Sequence, residues 1–128
     1  HALLVFPEGS RTQTGRVERF ESGTMLLIKR AKPTVVPVAI EGAFDVWPRG
    51  QTLPRPTGRI GVMYGEPIEP DELLAMDSEA ALRHLEGRVA AMQQELAGRL
   101  NRERPRAALE SEPAEADPLL DAAPAARS

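Results

Sequence analysis

The stretch VFPEGSRT, residues 5–12, marks the point where an apolar run gives way to a dense group of polar side chains. Residues 2–6 read ALLVF, and a short continuous apolar run that ends at a proline is typical of a buried β-strand. Residues 7–20 are polar and contain Gly9 and Gly15, so they are predicted to form a loop, called here the polar loop. The polar loop therefore begins directly after the carboxyl end of the first predicted strand.

Downstream of the polar loop, the pattern predicts both helical and extended segments. A helix is predicted to begin near Ser22 and Gly23 and to end with basic residues before Pro33. The next segments are a strand at 35–40, in which Pro37 lies at an edge or bulge, an irregular connection at 41–58 and a strand at 59–65. They are followed by one or two short helical turns at 71–76 and by a long helix capped by Asp77 or Ser78. The apolar residues of the long helix recur at steps of three and four, which predicts one apolar face: Leu82, Leu85, Val89, Met92, Leu96 and Leu100.

These elements predict an α/β fold with a partial mixed sheet flanked by helices and a long C-terminal helix. In open α/β sheets, ligands bind beyond the carboxyl ends of strands, which is where the polar loop is expected. Residues 105–128 are rich in Ala, Pro, Glu and Asp and poor in large apolar residues, so they are predicted to be a disordered tail. The sequence is accordingly divided into residues 1–70, which contain the sheet, a helical extension at 71–104, and the tail.

Composition excludes several classes of function. The chain has 128 residues and no Cys, so disulfides and thiolate chemistry are excluded. Two His and scattered acids do not form a recognisable metal-binding pattern, and no metal is expected. The net charge of −3 and the five aromatic residues argue against binding to nucleic acid. No apolar run approaches the ~20 residues that a membrane-spanning helix needs.

The charge is unevenly distributed along the chain. Residues 1–66 contain nine Lys or Arg and six Asp or Glu, which gives +3, whereas residues 67–128 carry −6. A positive field around the polar loop suits an anionic substrate or a phosphate-rich membrane surface. An ordinary solvated surface beside an acidic tail is the plainer explanation of the same charges.

The residue types of the polar loop suit an anion-binding site. Gly9 allows the backbone to approach an oxyanion closely, and Arg11 offers a planar set of donors that can hold two phosphate oxygens. Ser10 and Thr12 add hydroxyl donors, and Glu8 can accept a hydrogen bond from a substrate hydroxyl or orient Arg11. An alternative from residue types alone is a surface turn at Gly9 and Ser10 in which Glu8 and Arg11 form an ion pair.

Residues 6–12, FPEGSRT, resemble the F-P-E-G-T-R-S motif of the glycerolipid acyltransferases, the family of 1-acylglycerol-3-phosphate (lysophosphatidic acid) acyltransferase-like enzymes. Other blocks are similar to this family in the same order. Thr14-Gly15 and Arg19-Phe20 with Gly23 resemble its R-T-G…F-K-x-G run, VPVAI at 36–40 resembles its V-P-V-x-I block, and GEPI at 65–68 resembles its G-x-P-I turn. The likeness extends over residues 2–70.

The resemblance implies a glycerol-3-phosphate acyltransferase-like fold and an enzyme of phospholipid biosynthesis. The implied reaction transfers a fatty acyl group from acyl-CoA or acyl carrier protein to a hydroxyl of a lysoglycerophospholipid such as lysophosphatidic acid, with no cofactor. By the same resemblance, the glycerol phosphate part of the acceptor is bound by Glu8, Gly9, Ser10 and Arg11. Arg11 is the main phosphate ligand, and Pro37 shapes the acceptor and acyl pocket. It also implies a location at the cytoplasmic face of a membrane.

The catalytic element of this family, a histidine followed five positions later by an aspartate, is absent from the 128 residues. His1 is followed five positions later by Phe6, and His84 by Val89. His84 is expected to be a solvated helix residue. The expectation is that this sequence is the C-terminal portion of an acyltransferase, inactive in isolation, with the His–Asp pair upstream. The alternatives are a non-catalytic module that binds anionic lipid or phosphate, and an interaction domain whose long helix binds a partner.

Overall fold

The computed structural model describes residues 1–102, which form four helices and two strands. In chain order these are α1 (Gly23–Ala31), β1 (Val38–Glu41), α2 (Ala43–Val46), β2 (Gly61–Tyr64), α3 (Pro70–Leu74) and α4 (Ser78–Arg102). The predicted α/β class, the partial sheet and the long C-terminal helix are confirmed. The predicted disordered tail at 105–128 lies outside the described residues, and the division at residues 70 and 104 stays a prediction.

The predicted buried strand at residues 2–6 is wrong. These residues form neither strand nor helix, and Leu3, Leu4 and Phe6 are 77, 73 and 67% exposed. An apolar run becomes a strand only when another strand satisfies its N–H and C=O groups, and within residues 1–102 no strand pairs with it. The polar loop is therefore not positioned by the end of a strand.

Helix α1 begins and ends close to the predicted positions. Lys29 and Arg30 occupy its last turn, where positive charge is favourable. Lys32 follows in the left-handed region at φ 46°, its N–H donates to Ile28 O at 2.9 Å, and Pro33 prevents continuation. Met25 and Ile28 are buried, so one face of α1 enters the core.

The sheet consists of β1 and β2, which pair in antiparallel register with Ala39 opposite Met63. The predicted strand at 35–40 is broken by Pro37, which has no N–H, but its carbonyl accepts a hydrogen bond from Gly65 N at 2.8 Å. A separate bridge joins Val35 to Ile68. Pro37 therefore occupies the irregular position that the sequence predicts for it.

Helix α4 covers one face of this sheet and completes the core. Asp77 caps it, because its Oδ1 accepts a hydrogen bond from Ala80 N at 2.9 Å. The apolar face of α4 contributes Leu82, Leu85 and Leu96 to the buried residues. The main core cluster brings α1, α3 and α4 together with the end of the polar loop: Phe20, Met25, Ile28, Ile68, Leu73, Ala81, Leu82 and Leu85.

The irregular connection predicted at 41–58 contains the short helix α2 and is otherwise without regular structure. Gly42 precedes α2 with φ 83°, and a Cβ there would lie 1.9 Å from Arg59 O. Only glycine can therefore hold this connection against the start of β2. The connection brings Trp47 towards the polar loop.

Candidate functional site

The polar loop starts with a tight turn at Gly9. Gly9 has φ 68°, and its N–H donates to Phe6 O at 3.1 Å. The far end of the loop returns to the same place, because Glu21 N donates to Pro7 O at 2.7 Å. The backbone of the first residue of the loop is thus bonded to the residue that directly follows the loop, so the loop is closed at its base.

Glu8 is partly buried and is bonded within the loop. Its Oε2 accepts a hydrogen bond from Glu18 N at 3.0 Å. Burial raises the pKa of the Glu8 carboxyl above its ordinary value of 4.5, the bond from Glu18 N–H acts in the lowering direction, and the charge of Glu18 raises the pKa further. Among the described residues no ion pair joins Glu8 to Arg11, which excludes the predicted alternative of a surface ion pair.

Arg11 is exposed and lies over the ring of Trp47. The guanidinium carbon is 5.7 Å from the ring centroid, which is within the range of a cation–π interaction. The indole is itself oriented, because Trp47 Nε1 donates to Gln51 O at 2.9 Å. The cation–π contact leaves the N–H groups of the exposed guanidinium available to an anion.

The hydroxyl of Thr12 is used by the loop itself. Its Oγ1 accepts hydrogen bonds from Thr14 N at 3.2 Å and Gly15 N at 3.1 Å, and Arg16 O and Glu18 Oε1 lie 2.9 and 3.1 Å away as acceptors for its proton. The interpretation of Thr12 as a substrate donor is therefore wrong, because its bonding capacity is already filled.

Ser10 and Pro37 occupy different surroundings. Ser10 is exposed beside Arg11, as a substrate-binding hydroxyl requires. Pro37 is buried in the sheet next to Gly65 and Met92. The structure therefore brings Glu8, Gly9, Ser10 and Arg11 together in one turn, whereas the role of Pro37 in a pocket stays a prediction.

Helix α4 holds the second half of the polar loop, which the sequence did not indicate. Gln93 Nε2 donates to Gly15 O at 2.8 Å, and Val17 N donates to Gln93 Oε1 at 3.3 Å. Glu86 Oε1 accepts a hydrogen bond from Phe20 N at 2.7 Å. The one sign of this contact in the sequence is the spacing of Glu86 and Gln93. Two polar residues seven positions apart lie on one side of a helix, about two turns from each other.

An open cleft of about 650 Å³ separates the loop from the first half of α4. Its apolar lining includes Val17, Leu82 and Ala90. Its rim carries Glu79, whose Oε1 lies 2.8 Å from Arg83 Nη1 and 3.7 Å from Arg19 Nη2. These ion pairs are exposed.

His84 differs from its predicted solvated state. The residue is only partly exposed, and its Nε2 is buried without a hydrogen-bond partner among residues 1–102.

Among residues 1–102, no group of three or more His, Asp or Glu side chains could hold a metal ion. The described helices include none that combines the length and hydropathy of a membrane span.

Comparison with known proteins gives one consistent result. The family model described as Acyltransferase matches residues 1–41, which include the polar loop, α1 and β1. A 1-acyl-sn-glycerol-3-phosphate acyltransferase of Cocos nucifera is 32% identical over 71 residues, or 56% of this chain and 23% of the relative. The corresponding protein of Limnanthes douglasii is 34% identical over 71 residues, or 56% of this chain and 25% of the relative. The chain thus spans about a quarter of the length of these curated relatives.

A solved structure also shares the fold. The crystal structure of the 1-acyl-sn-glycerophosphate (LPA) acyltransferase PlsC from Thermotoga maritima matches with a TM-score of 0.64 and 27% identity, covering 73% of this chain and 37% of that chain. The resemblance drawn from the FPEGSRT motif is thereby confirmed. The chain is similar in sequence and in fold to the 1-acyl-sn-glycerol-3-phosphate acyltransferases.

Proposed function

We propose that this chain supplies the acceptor-binding part of an enzyme that acylates a lysoglycerophospholipid. The acyl donor is a thioester, either acyl-CoA or acyl carrier protein. The acceptor hydroxyl oxygen attacks the thioester carbonyl carbon, a C–O bond forms and the C–S bond breaks. The hydroxyl proton passes to a general base and then to the departing thiolate, so atoms and charge balance.

The observation that carries this proposal is the position of Arg11. Its guanidinium is exposed, lies over the Trp47 ring at 5.7 Å, and belongs to the segment that matches the acyltransferase family. Gly9, which has φ 68°, leaves the backbone near Arg11 without a Cβ. The phosphate of the acceptor binds to Arg11, and Glu8 lies on the same turn to orient the acceptor.

The general base is not assigned within this chain. Neither His1 nor His84 has an aspartate five positions later, and the Nε2 of His84 is buried. The proposed share of these residues in the reaction is therefore positioning of the acceptor, which contributes by proximity and orientation rather than by proton transfer.

Binding to the chain itself tests the proposal. Glycerol 3-phosphate and a lysophosphatidate are titrated against the parent, Arg11→Ala and Arg16→Ala, with dissociation constants measured by calorimetry or amide chemical shifts. Arg16 is the matched control, because it is an exposed arginine of the same loop outside the motif. Loss of a charged hydrogen bond of about 1.5–3 kcal/mol should weaken the binding of phosphate by Arg11→Ala by roughly ten- to 150-fold.

Equal affinities for the parent and Arg11→Ala would overturn the assignment of Arg11. A monoacylglycerol, which has no phosphate, should show no dependence on Arg11. The alternative of a non-catalytic anion-binding module predicts the same binding but no transfer, so acyl transfer assayed with the whole protein and a thioester donor separates the two.

We propose further that residues 47–60, called here the arginine loop, contact the lipid surface from which the acceptor comes. Arg49 and Arg55 are exposed, Trp47 and Leu53 are 46 and 76% exposed, and no acidic residue occurs in the segment. Cationic side chains beside exposed apolar groups suit an anionic membrane interface. We propose that this surface is the cytoplasmic leaflet, which is rich in anionic lipids.

A further inference from the structure

Helix α4 also contacts the polar loop through polar side chains at the edge of its apolar face. Gln93 and Glu86 lie at this edge, about two turns apart. Gln93 binds Gly15 and Val17, and Glu86 binds Phe20, by the hydrogen bonds given above. Three successive points of the polar loop are thus fixed to one helix through two side chains.

The carboxamide of Gln93 matches the backbone that it meets. It offers a donor to Gly15 O and an acceptor to Val17 N, and its Nε2 also lies 3.5 Å from Ile40 O in β1. Neither a carboxylate nor an ammonium offers both functions. Gly15, at φ 79°, is confined on another side, because a Cβ there would lie 3.1 Å from the ring of Phe44. Gln93 therefore joins α4, the sheet and the loop at one point.

The loop transmits this restraint to the anion site. Glu18 follows Val17, its N–H donates to Glu8 Oε2 at 3.0 Å, and its Oε1 accepts a hydrogen bond from Gln13 N at 2.8 Å. The carboxyl of Glu8 therefore has a position fixed by residues that Gln93 holds. Arg11 lies between Glu8 and Gln13, which Glu18 binds, and the loop that carries it is not supported by a strand.

We propose that Gln93 is a positioning residue for the phosphate site: it holds the polar loop in the form that presents Glu8 and Arg11 together to the acceptor. This inference rests on the proposed function. It implies that α4, which lies beyond the residues matched by the family model, belongs to the acceptor site.

The test compares Gln93→Met with Gln94→Met. Methionine preserves the length and helix propensity of glutamine but makes neither bond. Gln94 is the adjacent exposed residue and serves as the control. Amide hydrogen exchange should become faster at Val17 in Gln93→Met alone. The dissociation constant for glycerol 3-phosphate, measured well below the unfolding transition, should rise roughly five-fold in Gln93→Met and remain unchanged in Gln94→Met.

Gln93→Asn provides a second variant, because it keeps the amide but is too short to reach the loop. It should weaken phosphate binding in the same direction as Gln93→Met. If both variants stay folded and bind glycerol 3-phosphate as the parent does, while Arg11→Ala does not, the positioning role is wrong and the proposed function stands. If Arg11→Ala also binds as the parent does, the proposed function is what fails.

Discussion

The carboxyl of Glu8 shows how the fold changes the chemistry of one side chain. Burial raises its pKa above 4.5, so the folded chain holds that proton more tightly than the unfolded chain. The folded state therefore binds more protons over the pH interval that begins near 4.5, and the free energy of unfolding falls as the pH rises through that interval. Ionisation of Glu8 in the folded chain therefore lowers its stability.

Replacement of Glu8 by Gln tests this linkage. Glutamine keeps an oxygen that can accept the hydrogen bond from Glu18 N but has no proton to lose. The free energy of unfolding is measured in urea from about pH 4 to 7. We expect it to fall less for Glu8→Gln than for the parent as the pH is raised. Glu66→Gln, at an exposed site, is the control. Identical pH profiles for the parent and Glu8→Gln would show that burial of Glu8 has no energetic effect.

The residue types of the proposed phosphate site could be predicted, but their partners could not. Gly9 and Arg11 suit anion binding whatever surrounds them, so the motif alone indicates them. That Arg11 lies over Trp47, or that Thr12 is occupied by its own loop, depends on contacts made only after the chain folds. Gln93 is the extreme case, because nothing in the pattern of an amphipathic helix indicates which loop a polar side chain on it will bind.

At the scale of elements, the packing of α4 against the sheet depends on glycine at one point. A Cβ on Gly65 would lie 2.8 Å from Met92 Sδ and 2.8 Å from Pro37 Cγ. The methionine can move, but the proline ring is rigid. We therefore expect Gly65→Ala to lower the free energy of unfolding by about 1–3 kcal/mol, as overpacked cores do.

Gly87 provides the matched comparison. It lies within α4, and a Cβ there would meet nothing within 4 Å. Because alanine favours a helix over glycine by about 0.8–1 kcal/mol, Gly87→Ala should raise the stability by up to that amount. Urea unfolding followed by circular dichroism measures both variants. Shifts of the same sign for the two substitutions would contradict the proposed sheet–helix contact.

Elements stabilised by local interactions were predictable from the sequence, and those that need a partner were less so. Helices α1 and α4 follow from Pro33, Asp77 and a periodic apolar face, all of which are local. Residues 2–6 have the composition of a strand, but no strand among residues 1–102 pairs with them. β-Structure depends on what lies beside it, so composition alone is a weaker guide there.

For the whole molecule, charge and exposed apolar groups coincide on the arginine loop. Residues 1–66 carry a net charge of +3, and three of their arginines lie between residues 47 and 60. Leu53 is exposed in the middle of that loop, and Trp47 connects it to Arg11. The proposed membrane contact would therefore place the lipid surface beside Arg11, the main residue of the proposed phosphate site.

Fluorescence of Trp47, the only tryptophan of the chain, can report on this contact. With phosphatidylcholine vesicles containing phosphatidylglycerol and no lysolipid, we expect a blue shift that is absent with phosphatidylcholine alone and is reversed by salt. The double substitution Arg49→Gln, Arg55→Gln should weaken vesicle binding roughly thirty-fold, at about 1 kcal/mol per charge. Arg30→Gln with Lys32→Gln removes equal charge from exposed positions at the end of α1. Equal weakening by both pairs would indicate a general charge effect, so the arginine loop would not be the bilayer contact.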